Sequence, residues 1–153
     1  MRQTRNILLK YREKGFQEIE VPISFISSQS RMDYADIQKT VNKVSALWNE
    51  QMFLFADTKA LQAGNEDDKK EKIKDNYAKI NKLTEELKAY SDSDFFEKRF
   101  QLILDILEDN DADEKLLEKK FWMRRVDSDA LVSFLNDCMA VNEPESKKKA
   151  LIK

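Results

Sequence analysis

The chain has no histidine and a single cysteine, Cys138, among its 153 residues. Lack of histidine removes the usual general base at neutral pH, and with it any Ser-His-Asp or Cys-His arrangement. It also removes the commonest metal ligand, and one thiol cannot supply the four nitrogen or sulfur ligands of a structural zinc site. One cysteine excludes an intrachain disulfide and fits a reduced, cytosolic setting. Glycine and proline number two each. Sandwiches and barrels need many tight turns, so this scarcity points to long helices. No apolar run approaches the ~20 residues of a membrane span. Near the N-terminus, Ile7-Leu8-Leu9 behind Arg2 and Arg5 is too short for a signal-peptide core. The expectation is a soluble protein that stays where it is made, with no membrane association.

Charge is plentiful instead. Charged residues make up 37% of the chain, yet the net charge is only −2. Interspersed charges of both signs describe solvated helix faces better than a nucleic-acid groove. The basic clusters are residues 1–14, Lys69-Lys70-Lys72-Lys74, Arg124-Arg125 and Lys147 to Lys149. Acids mix with the second and the last lies in the terminal stretch, so nucleic-acid binding is disfavoured.

The pattern of apolar residues divides the chain into four stretches. In 1–30, residues 1–14 read as a short helix or ordered arm closed by Gly15. Ile19, Val21, Ile23 and Phe25 then alternate with polar residues, the period of a strand with one apolar face. Pro22 confines that strand to an edge, and no second strand of similar quality is legible, so its pairing partner is open. In 31–90, Asp33 reads as the N-cap of a helix to about Ala63. Its apolar stripe is Ile37, Val41, Val44, Trp48, Met52 and Phe55, widened by Leu47 and Leu54. After Gly64-Asn65 a second helix runs from about Asp67 to Tyr90, with Ile73, Tyr77, Ile80, Leu83, Leu87 and Tyr90 on one side. Two long helices and a short turn predict an antiparallel helical hairpin sealed by these stripes.

In 91–142, Asp94 with Glu97 fits a capping box. Phe95, Phe96, Phe100, Ile103, Leu104, Ile106 and Leu107 form a dense apolar helix, followed by an acidic turn, a short helix through Leu116, Leu117, Phe121 and Trp122, and a last helix from Val126-Asp127 carrying Leu131, Phe134, Leu135, Cys138 and Met139. Glu143-Pro144 stops it, and 143–153 reads as a mobile basic tail. The predicted class is all-α: a long antiparallel helical hairpin plus a compact C-terminal helical cluster, with a short extended N-terminal segment.

Candidate chemistry fails residue by residue. Asp109, Asp111 and Asp113 resemble the start of a calcium loop, but that loop needs Gly and Glu where this chain has Glu114 and Lys120. Cys138 lies on an apolar stripe, as core thiols do. Gly15 and Gly64 are isolated, so there is no phosphate-binding glycine loop. No catalytic residue, metal or cofactor is expected. The aromatics carry the remaining signal. Neighbours on a helix point about 100° apart, so one of Phe95/Phe96 and one of Phe121/Trp122 is expected at the surface as a protein-binding anchor. The expected protein-binding set is therefore Ile19, Val21, Ile23, Phe25, Phe95, Phe121 and Trp122.

Phe96-Glu97-Lys98-Arg99-Phe100, the Leu104-x-x-Leu107 step, Phe121-Trp122 followed by Val126-Asp127, and Phe134-Leu135 together resemble the tail assembly chaperones of long-tailed bacteriophages, notably from phages of low-GC hosts. The resemblance spans part of the C-terminal third. It implies a non-catalytic protein that coats the tape-measure protein during tail-tube polymerisation, can self-associate, and works in the cytoplasm of the bacterium or infected host cell. The expected function is thus a protein-binding scaffold or assembly chaperone. The rivals are a structural component retained in a phage particle and a small inhibitor or regulator docking on a host protein.

Overall fold

A computed structural model describes residues 4–64 and 69–141. The order is strand β1 (Arg5–Arg12), strand β2 (Phe16–Ile23), helix α1 (Ser28–Gln62), helix α2 (Lys70–Leu87), helix α3 (Asp92–Asp109), a 3-10 turn (Glu114–Leu117), helix α4 (Lys119–Arg125) and helix α5 (Ser128–Met139). The protein is mostly helical with a small two-stranded N-terminal sheet, which corrects the all-α expectation. The terminal stretch 143–153, and the Asn65 and Asp67 helix boundaries, lie outside the described residues. The chain divides into two units, Met1–Ala35 with Phe96–Lys153, and Asp36–Phe95.

In the first unit, residues 5–12 form a strand rather than a helix. They pair antiparallel with β2, Ile7 opposite Val21 and Leu9 opposite Ile19. The β2 strand therefore finds its partner within the chain. Side chains alternate across a strand, so Ile7, Leu9, Val21 and Ile23 share the buried face while Leu8 and Lys10 face out. Lys14 (φ 54°) and Gly15 (φ 107°) turn the chain between the strands in the left-handed region, which suits the glycine. Pro22 is tolerated because both strands of a two-stranded sheet are edges.

α1 begins six residues earlier than an N-cap at Asp33 implies. The Ser27 hydroxyl oxygen accepts the Ser30 N–H at 3.0 Å, as an N-cap does, and the polar Ser28-Gln29-Ser30 forms the first turn. Arg31 reaches from this turn to the C-terminal end of α5, donating to the carbonyls of Met139 (3.2 Å) and Val141 (2.7 Å). A cation there satisfies orphan carbonyls and opposes the helix dipole. α3 is capped by Ser91, whose hydroxyl accepts the Asp94 N–H, so the Asp94/Glu97 box does not form. Glu97 instead pairs with Lys119.

The acidic turn after α3 is a helix stop. The N–H of Ala112 donates to the Leu107 carbonyl and that of Asp111 to Glu108, with Asp111 left-handed at φ 51°. That is the Schellman arrangement. Asn110, the residue just before the reversal, ties α3 to the segment leaving β2. Its Oδ1 accepts the N–H groups of Ser24 and Phe25 (2.9 and 3.0 Å), and its Nδ2 donates to the carbonyls of Phe25 and Ile106, both at 2.7 Å.

The core of this unit is Phe100, Leu102, Ile103, Ile106, Leu107, Leu116, Leu131, Phe134, Leu135 and Val141 around Trp122. Trp122 is fully buried and its Nε1–H donates to the Leu116 carbonyl at 2.7 Å. α5 starts at an Asp127 N-cap whose Oδ1 accepts the Ala130 N–H at 2.8 Å.

In the second unit, α1 and α2 run antiparallel: Gln51 meets Thr84 (2.7 Å), Asp57 meets Asn76 (2.9 Å) and Gln62 meets Tyr77 (2.9 Å). The buried apolar cluster is Leu54, Ile80 and Leu83, with Leu47 against it. Gln51, Thr58 and Asn76 are buried in the same unit. The Ile80–Leu83 part of the α2 stripe is buried as expected. Of the α1 stripe, Ile37 and Leu54 are buried, whereas Trp48, Met52 and Phe55 are exposed.

Candidate functional site

Among the described residues, no group of three or more acidic or Cys side chains is placed to hold a metal ion. Cys138 is fully buried, and loss of hydration pushes its thiol up to about 12, with Asp137 adding to the shift. A thiol held protonated is no nucleophile. Exposed carboxylates pair with lysines, as Glu13 does with Lys115 at 3.2 Å. That ammonium donates a hydrogen bond to Glu13 and adds its charge, holding the carboxyl below its ordinary range.

The seven residues expected to bind protein fall into two groups. Val21, Ile23, Phe121 and Trp122 are buried in the chain's own core, while Ile19, Phe25 and Phe95 are half-buried. The expectation that one of Phe121 and Trp122 is exposed fails for a definite reason. The seven-residue α4 has packing on two sides: Phe121 meets Tyr11 of β1 at 5.3 Å between ring centroids, and Trp122 meets Phe134 of α5 at 5.5 Å. A helix walled on two faces buries both members of an adjacent pair. Phe95 and Phe96 are both half-buried, Phe96 stacking on Phe100 at 6.0 Å. Phe25 is fixed through its backbone by Asn110.

The exposed apolar surface lies elsewhere. Along α1, Trp48 is 52% exposed, Met52 65% and Phe55 51%. They follow one another at steps of four and three, which sets them on one line along the helix, and the half-buried Val41 and Val44 extend it. Phe53, about 140° around the helix from Trp48, is exposed as well. These are members of the stripe expected to seal the hairpin. The seam is made by Leu47 and Leu54, the widening members of that stripe, together with Gln51 and Thr58. At about 100° per residue, that face is turned roughly 90° from the Trp48 line. Between Thr40 and Ala56 the only charged side chains are Lys43 and Glu50, both on the side of α1 away from that line. Lys43 extends toward Tyr90, 5.8 Å from the ring centre, and hydrogen bonding to that phenol raises the lysine's pKa. Aromatic and methionine side chains with charge excluded from their line is the composition of an interface core. The signal that could have found it is that charge gap, in a chain otherwise dense in charge.

A second surface feature belongs to the first unit. An open depression of about 510 Å³ is lined by Lys10, Arg12, Phe16, Met123, Arg124 and Arg125 together with acidic residues at the start of α5. The Arg12 guanidinium lies 4.8 Å over the exposed Phe16 ring, and Arg125 donates to the Arg12 carbonyl. Asp127 and Asp129 offset part of the basic charge.

No family model matches the chain, and no curated protein or solved structure matches it either. No described helix is long and apolar enough to cross a membrane.

Proposed function

We propose that the chain is a non-catalytic protein-binding scaffold or assembly chaperone, with a long antiparallel helical hairpin as its working part and the sheet-backed helical cluster as its anchor. The observation that carries this reading is the Trp48–Met52–Phe55 line on α1, apolar, exposed and free of charge. Hiding such side chains in the hairpin seam would have been favourable. Their position outside a seam that buries Gln51, Thr58 and Asn76 beside Leu54, Ile80 and Leu83 supports a role in contact with other protein. The resemblance of part of the C-terminal third to tail assembly chaperones makes a phage tape-measure protein the first partner to test.

The test is co-expression of the full chain with a phage tape-measure protein, followed by affinity capture and quantification. Trp48→Glu and Phe55→Glu should each reduce recovery at least about tenfold, as charge at an interface centre does. Lys10→Glu, away from the line, should leave it unchanged. Equal recovery with all three variants, or turnover of a small molecule by the purified chain, would overturn the reading.

A further inference from the structure

We infer that the Trp48 line of α1 pairs with the same line on a second copy of this chain, antiparallel about a twofold axis near Trp48, so that two hairpins close into a four-helix bundle. The inference rests on the proposed protein-binding role of this surface and names its occupant.

Three observations favour a second copy. First, α1 uses two faces about 90° apart, one for α2 and one carrying the exposed line. A helix in a four-helix bundle has two neighbours at such an angle, and the hairpin supplies only one. Second, the line is self-complementary in size. A twofold at Trp48 sets Val44 level with the partner's Met52 and Val41 level with the partner's Phe55, small residue against large at each step. Third, the charges permit it. Lys43 and Glu50 point away, so no like charges meet across the axis. A membrane-surface helix would instead flank its apolar line with several lysines or arginines.

The area suffices. From their exposures, Trp48, Met52 and Phe55 present about 350 Å² per copy. Val41, Val44 and the neighbouring Asn42, Ser45 and Asn49 lie along the same stretch, and Val41 to Lys59 spans about 27 Å of helix. A contact of that length approaches the ~800 Å² per partner of a standard interface.

The experiment is sedimentation velocity on the full chain across a hundredfold concentration range, with far-UV circular dichroism on each variant. The expected species has twice the 18.0 kDa chain mass. Trp48→Glu and Met52→Glu should each weaken dimerisation at least about a hundredfold with helicity retained, since both side chains are exposed in the single chain. Phe16→Glu should leave the dimer intact. A wild-type monomer at 100 μM, a trimer or larger species, or a dimer indifferent to both substitutions would overturn the inference. So would a monomer whose Trp48 fluorescence shifts only on adding anionic vesicles. A wild-type monomer that still loses tape-measure capture on Trp48→Glu would sink the second copy alone and keep the protein-binding role. A monomer with no such loss would sink both.

Discussion

Replacing Asn110 with alanine removes one side chain that makes four hydrogen bonds to backbone, three to the segment leaving β2 and one back to Ile106 of α3. Two of them serve the backbone N–H groups of Ser24 and Phe25, two the carbonyls of Phe25 and Ile106. A net hydrogen bond contributes about 0.5–1.5 kcal/mol, and losing a partner in a partly buried site lies at the upper end. Allowing for water entering the gap, Asn110→Ala should cost about 3 kcal/mol. For a chain of this length that lowers the melting temperature by about 6–12 °C. Urea unfolding followed by near-UV circular dichroism, which reports the packing of Trp122, measures it at fixed protein concentration. Asn110→Asp separates the two halves of the network. Its carboxylate still accepts from Ser24 and Phe25 but sets a second oxygen against two carbonyls, so it should destabilise as much as alanine at pH 7 and recover on acidification as protonation restores one donor. A cost below about 0.5 kcal/mol for Asn110→Ala would refute the reasoning, because surface changes without a structural role fall in that range.

Three further outcomes follow from the geometry. Cys138, buried and with its thiol pushed up to about 12, should resist iodoacetamide at pH 8 in the native protein and react within minutes in 6 M urea; fast native labelling would place it at the surface. Lys115→Ala should raise the Glu13 pKa toward the ordinary carboxylate value, read by carbon-detected NMR titration. Because the folded value is the lower one, the pair's contribution is present above the unfolded pKa and fades as pH falls through the folded pKa, and in this exposed position it is small. Asp111→Gly should stabilise by up to about 1 kcal/mol in the same urea assay, since glycine suits a left-handed helix stop better.

Much of the helical content was legible from spacing alone, and the misses have separable causes. β1 was hidden because Leu8 interrupts the alternation of Ile7, Leu9 and Tyr11, making a period-two strand look like a short apolar run. The hairpin turn was hidden because Gly15 reads equally well as a helix stop. The α1 stripe is legible, but only its edge, Leu47 and Leu54, meets α2, while Trp48, Met52 and Phe55 stay exposed: periodicity says which residues share a face, and nothing about which of two faces a neighbouring helix will take. Gln51 and Thr58, polar in sequence, take the buried side because Thr84 and the Leu54 carbonyl meet their hydrogen bonds. Phe121 and Trp122 were misplaced because the 100° argument assumes one wall. Asn110 could not be found at all, since its partners Ser24 and Phe25 lie 86 and 85 positions away in sequence.

The amides and hydroxyls between α1 and α2 have a consequence for how the two helices hold together. Gln51 with Thr84, and Asp57 with Asn76, are pairings that only one alignment satisfies. Sliding either helix by a turn would break each of them, whereas a greasy contact would tolerate the slip. Yet water can stand in for every such partner once the helices part. The polar pairs thus dictate where the helices meet, while the dry cluster of Leu54, Ile80 and Leu83 with Leu47 supplies what keeps them together.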